Sequence, residues 1–297
     1  MKMTDSNILN PSLSIVGLIW RSLVVGLMYV VASTITPPLA PLMGVALDAP
    51  TGVDPIIVLL SMFVGGTLIG LVAGPISMKL TLPRAQRIGV LFLVLFMWAY
   101  GINAVDTFLF TTYSIPFQAF LIIMNLIVDL ILGISISVLF PPMQTGIGFT
   151  TEVKSYFSQR RGKSWLWRFA LAAVLFYPIY IFFGLVFSPL TVPYYNMPEL
   201  GMDLVIPNVL SPAFISIEIG RGLVYALVAV PLLAVLRMPK WRLGLWMGLI
   251  LAIVGGVLLM LLQWAWPLPL RLGHGVEIMC DGFAQGLMMT WLLWVKK

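Results

Sequence analysis

Eight long apolar stretches, each of the length needed to cross a bilayer, constrain this chain more than any other feature of its sequence. They run Ile15–Ile35, Ile56–Met78, Ile88–Val105, Phe117–Leu139, Leu166–Phe187, Ala213–Leu236, Leu243–Leu262 and Val276–Val295. At a rise of about 1.5 Å per residue, about twenty residues span the roughly 30 Å of hydrocarbon, and the third stretch needs a further turn to do so. The expectation is an all-α integral membrane protein of eight transmembrane helices. Composition agrees: 60% of the 297 residues are apolar and 9% are charged, against about a quarter charged in soluble domains. Little is left for a separate domain outside the membrane.

Fifteen of the seventeen Lys and Arg residues fall on one side of these stretches. Lys79, Arg84 and Arg87 lie in the second connection, and Lys154, Arg160, Arg161, Lys163 and Arg168 lie around the fourth. Arg237, Lys240 and Arg242 occupy the sixth, Lys296 and Lys297 the tail, and Lys2 and Arg21 the beginning. The opposite connections carry Asp48, Asp54, Asp106, Glu199 and Asp203, with Arg271 as their basic residue. Cations gather on the cytoplasmic side, so both termini are expected there, in a bacterial-type inner (plasma) membrane. The net charge of +6 is thereby accounted for without a nucleic-acid partner. The first stretch is too long for a signal-peptide core and reads as a retained helix. The single Cys280 has no cysteine to pair with inside the chain.

The two halves resemble each other. Trp20-Arg21 returns as Trp167-Arg168, Pro41-Leu42 as Pro189-Leu190, Pro75 as Pro231, and Pro83-Arg84 as Pro239-Lys240. Arg87-Ile88-Gly89 returns as Arg242-Leu243-Gly244, and Asn125 and Asp129 stand opposite Glu277 and Asp281. Basic helix ends and membrane prolines occur in unrelated proteins, but an ordered series at nearly one offset predicts a duplication. Residues 1–150 and 151–297 would each form a four-helix unit. An even number of crossings makes the two units parallel, related by an axis along the membrane normal. The proline-rich stretch from Thr36 to Pro55 reads as a turn-rich outer loop. The basic segment from Pro141 to Ser164, beside Tyr156, Phe157, Trp165 and Trp167, reads as an inner surface attracted to anionic lipid headgroups. Trp264, Trp266, Trp291 and Trp294 read as interfacial anchors.

Ionisable side chains inside the stretches point to the site, because an Asp or Arg at the centre of a membrane helix costs about 2.5–3.5 kcal/mol even on insertion scales. His274, Glu277, Asp281 and Gln285 are spaced three, four and four apart, forming one stripe on the eighth helix. Glu218 and Arg221 lie one turn apart on the sixth, and Arg221 is within geometric reach of Glu277 or Asp281. Asp129 has Asn125 one turn away and no base on its own helix. Its partner would be Arg221, a bound cation or a proton. Two accounts fit these residues. In one they are ion pairs that pin helices together. In the other they form a proton- or cation-coupled pathway, since four acids face one base there.

One histidine cannot supply a bis-histidine haem, no lysine lies deep in a helix for a retinal, and the zinc-protease and phosphate-loop signatures are missing. No cofactor or metal is therefore expected. The leading expectation is a transporter or channel-like protein for a small solute or ion. It would be lined by Asn125, Asp129, Glu218, Arg221, His274, Glu277, Asp281 and Gln285. The alternatives are a non-catalytic subunit with protein partners in the membrane, and an intramembrane hydrolase. The hydrolase would use either an Asp129–Asp281 dyad or water activated by Glu218, Arg221, Glu277 and His274. Orientation is directly testable: single cysteines replacing Lys163 and Ser211 should react with an impermeant maleimide from opposite sides of sealed vesicles. Labelling of both from one side would refute the topology.

Overall fold

Prolines and small polar residues in the connections determine where the helices begin. In the computed structural model, which describes residues 14–46, 53–110, 113–142, 144, 146–195, 197, 208–264 and 266–296, every regular element is helical. Helix α1 (Ile15–Ile35) starts where the Ser14 hydroxyl accepts from the Gly17 amide at 2.9 Å. Helix α2 (Pro55–Lys79) starts where Asp54 accepts from Ile56 at 2.8 Å, with Pro55 at a position whose missing N–H costs nothing. Ser114 and Ser211 cap α5 (Ile115–Leu139) and α8 (Pro212–Val235) in the same way. Pro83, Pro239 and Pro267 precede α3 (Arg84–Phe96), α9 (Lys240–Leu251) and α11 (Leu268–Leu293). The remaining helices are α4 (Ala104–Phe110), α6 (Phe149–Ser158), α7 (Gly162–Thr191) and α10 (Leu258–Leu262).

Six segments are long and apolar enough to cross a membrane: Ile15–Met43, Pro55–Lys79, Ile115–Leu139, Gly162–Tyr194, Pro212–Val235 and Lys240–Leu262. This is an all-helical membrane protein. The other two expected spans depart from the sequence reading. The third is broken: α3 widens into a π turn at Met97–Gly101, and α4 follows after Asn103. The eighth begins well before Val276, at Leu268, so Arg271 and His274 belong to helix α11 rather than to a loop. With Arg271, Glu277 and Asp281 in one helix, its mean hydropathy is lowered. A second π turn, Ala252–Val257, joins α9 to α10. The outer segment after α1 folds into two 3₁₀ turns, Pro37–Leu39 and Pro41–Met43, ending at Gly44 with φ 71°. Asp48, Glu199 and Asp203 lie outside the described residues, as do Lys2 and Lys297.

A continuous apolar core runs through both halves, from Val25, Ile69 and Leu132 to Ala226, Met247 and Leu292. Close helix approach depends on glycine at two places in particular. A Cβ on Gly66 would strike Tyr29 of α1, and one on Gly222 would strike Phe176 and the Ala173 carbonyl of α7. At the expected inner face, the basic segment is bonded to the end of α11. The Tyr156 hydroxyl donates to the Leu293 carbonyl at 2.8 Å, and Arg160 donates to Trp294 at 2.6 Å and Leu292 at 3.3 Å. Arg168 also reaches the Leu292 carbonyl. These donors satisfy the orphan carbonyls at the end of α11. Burial raises the Tyr156 hydroxyl above its ordinary value, keeping it in the donating form. Glu152 of α6 pairs with Arg237 beyond α8 at 2.9 Å. Lys154, Arg161 and Lys163 remain exposed.

Helix α11 is anchored at its other end as well. Arg271 donates to the Met260 carbonyl from Nε at 3.0 Å and Nη2 at 2.6 Å, with its guanidinium 4.0 Å from the Trp264 ring centre. Among the expected interfacial anchors, Trp291 is 63% exposed. Trp264 stacks instead on Arg271, and Trp294 donates to the Met238 carbonyl at 3.2 Å. Gly222→Leu should lower the stability of the detergent-solubilised protein by about 1–3 kcal/mol in thermal unfolding, through overpacking against α7. Gly220→Ala, where a Cβ meets nothing within 4 Å, should be near neutral. Equal loss in both variants would contradict the packing.

Candidate functional site

The Ser211 cap and Pro212 set the register of α8, which buries Glu218 and Arg221 on one face, 0% and 6% exposed. Arg221 Nη1 lies 2.9 Å from each carboxylate oxygen of Glu218. Nη2 donates to Asn103 Oδ1 at 3.2 Å, and the Tyr225 hydroxyl donates to the same oxygen at 3.0 Å. Asn103 is held in turn because its Nδ2 donates to the Trp98 and Ala99 carbonyls, each at 3.3 Å. Those carbonyls lie in the π turn, where the widened ladder leaves backbone acceptors to be satisfied by side chains. The rings of Phe176 and Tyr180 on α7 each stand 5.7 Å from the guanidinium carbon. Their faces favour a cation there.

Helix α11 brings the other members. His274 Nδ1 is 2.9 Å from Glu277 Oε2, with the imidazole 5.9 Å from the Trp266 ring. Glu277 faces Gly184 of α7, where any side chain would come within contact distance of Oε1. Gln285 Nε2 donates to Asp281 Oδ1 at 2.5 Å. Asp281 is within electrostatic range of Arg221, Glu277 and Glu218. Six of the eight residues expected from the sequence therefore share one polar seam between α7, α8 and α11. Measured along α11 from Leu268, His274 to Gln285 cover depths of about 9 to 26 Å.

The other two stand elsewhere. Asn125 donates to the Leu121 carbonyl of its own helix at 2.8 Å. Asp129, 5% exposed, has Tyr29 of α1 in electrostatic range, and its Oδ2 has no hydrogen-bond partner. It is not brought to Arg221, nor to Asp281. The sequence reading did not single out Asn103, Tyr225 or Tyr29. A lone Asn beside Gly101 in an apolar stretch is the signal that could have found the first. Hydroxyls of membrane tyrosines carry no comparable mark.

A groove of about 370 Å³ lies between the π turn and α8, lined by Met97, Gly101, Ile102, Ile217, Gly220 and Arg221 among others. Its lining residues are apolar except for Arg221. Arg221 thus stands between the groove and the carboxylates of the seam. Chemically, the arrangement offers one cation with an exchangeable carboxylate partner and three further groups able to carry protons. Among the described residues, no three His, Cys, Asp or Glu side chains are grouped to hold a metal ion. Comparison with protein-family models, curated proteins and solved structures finds no match for the chain.

Breaking a buried ion pair from one side leaves an uncompensated charge, which costs about 3–5 kcal/mol. Glu218→Ala should therefore lower stability by that order in thermal unfolding. The double variant Glu218→Leu with Arg221→Met, which removes both charges, should recover much of the loss. A double variant less stable than the single would show that the pair is not what holds α8.

Proposed function

We propose that this chain is a carrier in the plasma membrane for a small solute or ion, with Arg221 as the contact for an anionic group and the seam carboxylates as proton acceptors. The observation that carries this reading is the position of Arg221, buried between an apolar groove and the acids Glu218, Glu277 and Asp281. An incoming anion can replace Glu218 as the counter-ion, and the displaced carboxylate can then take up a proton.

In this reading the chain crosses the membrane eight times with both termini cytoplasmic, as units 1–150 and 151–297. Support for α11 as a crossing comes from its faces. Glu277, Asp281 and Gln285 are buried, whereas Leu272, Leu287 and Trp291 are exposed, as a lipid-facing stripe requires. Support for the duplication comes from matched packing. Gly66 on α2 and Gly222 on α8 each admit a ring from the preceding long helix, Tyr29 or Phe176. Gly133 on α5 packs on the Phe92 amide of α3, and Gly286 on α11 packs on the Gly248 amide of α9. The third helix of each unit opens after a proline and passes into a π turn.

This packing register differs by one residue from the Asp129–Asp281 match. Gly133 opposite Gly286 puts Asp129 opposite Gly282, and Asp281 opposite the buried Val128. Arg87 and Arg242 do not share a role either. Arg87 is buried, donating to Ser137 and the Leu82 carbonyl, whereas Arg242 lies over its neighbour Trp241. The two units would then carry different polar chemistry on one frame.

A membrane subunit without transport of its own is the second reading, favoured by the internal pairing of Glu218 with Arg221, Glu277 with His274 and Asp281 with Gln285. Proteoliposomes loaded with a pH-sensitive dye and offered a panel of small carboxylates separate the two. We expect solute-dependent internal acidification that falls by about tenfold or more in Asp281→Asn and Arg221→Lys, with both variants monodisperse. Wild-type flux retained in both would remove the carrier site. No flux, with a partner co-purifying at fixed stoichiometry, would establish the subunit.

A further inference from the structure

Outside the seam, α5 carries a carboxyl with no partner that accounts for it among the described residues. Asp129 is 5% exposed, its Oδ2 is buried without a hydrogen bond, and its surroundings are the apolar packing of α5 on α1 and α3. An isolated carboxylate in such a place is too costly to persist, so it binds a positive species. The charged and titratable groups on the neighbouring helices are otherwise placed. On α3, Arg87 donates to Ser137 and to the Leu82 carbonyl, and Ser137 is about 12 Å further along α5 than Asp129. On α1, Arg21 lies 5.8 Å from the Phe140 ring, beyond the end of α5. On α2, Lys79 ends the helix at that same end, where Ser77 donates to the Phe140 carbonyl. Arg84 opens α3 there too. Tyr100 lies in the π turn beyond α3. Among the described residues, it is Tyr29 of α1, fixed by its packing against Gly66, that bears on Asp129 electrostatically.

We propose that Asp129 is a proton-binding site of its own, facing Tyr29 and separate from the Arg221 seam. One carboxyl and one phenol are too few oxygens for a hard metal cation, which takes about six or more. A proton needs a single carboxyl oxygen. Binding is simple addition: the carboxylate takes a proton to become the neutral acid and releases it as the same carboxylate. The proton site stands independently of the carrier reading.

Infrared difference spectra of the purified protein, recorded across a pH step in normal and heavy water, test the site. We expect a protonated-carboxyl carbonyl band at neutral pH that vanishes in Asp129→Asn, moves in Asp129→Glu and persists in Asp281→Asn. Absence of any such band from Asp129 at neutral pH would overturn the proposal. So would a band that responds to sodium at constant pH, which would mark a cation site.

Discussion

A guanidinium buried among apolar helices must be compensated on every side, and much of the second half of this chain is arranged around that demand. Arg221 takes a carboxylate from its own helix, an amide oxygen from across the molecule and two aromatic faces from α7. Each contact draws in another element. The π turn offers the Asn103 amide nitrogen two carbonyls and so orients its oxygen toward Arg221, which ties an irregularity in one helix to a charge on another. Attraction inside a medium of low dielectric is strong, and so is the penalty for losing any part of it.

Helix starts were legible in the sequence because they rest on local chemistry. Ser14, Asp54, Ser114 and Ser211 act on the backbone beside them. The start of the eighth helix is not legible, because Arg271, Gly273 and His274 look like a polar connection. In the fold, Arg271 turns back onto the Met260 carbonyl, which lets the helix begin at Leu268. Neither π turn was legible, since their stretches, Met97–Gly101 and Ala252–Val257, read as ordinary apolar helix.

The candidate site was legible in part for a similar reason. Spacing of three and four along a single helix places His274, Glu277, Asp281 and Gln285 together whatever the tertiary fold. Which helix faces them is a tertiary matter. Arg221 does come near Asp281, but Asp129 turns toward Tyr29 instead. Matching the halves by their charges paired Asp129 with Asp281. Matching them by the glycines at helix contacts shifts the pairing by one, because close backbone approach fixes a register more strictly than a polar side chain does.

The fastening of α11 at both ends limits how the molecule can change shape. Arg271 grips the carbonyls that end α10, while Tyr156, Arg160 and Arg168 hold the last carbonyls of α11 itself. A rod tethered at both tips has little freedom to slide along its own axis. The heights of Glu277 and Asp281 are then nearly constant, and any change of shape around them falls to swinging side chains or to tilting of α8.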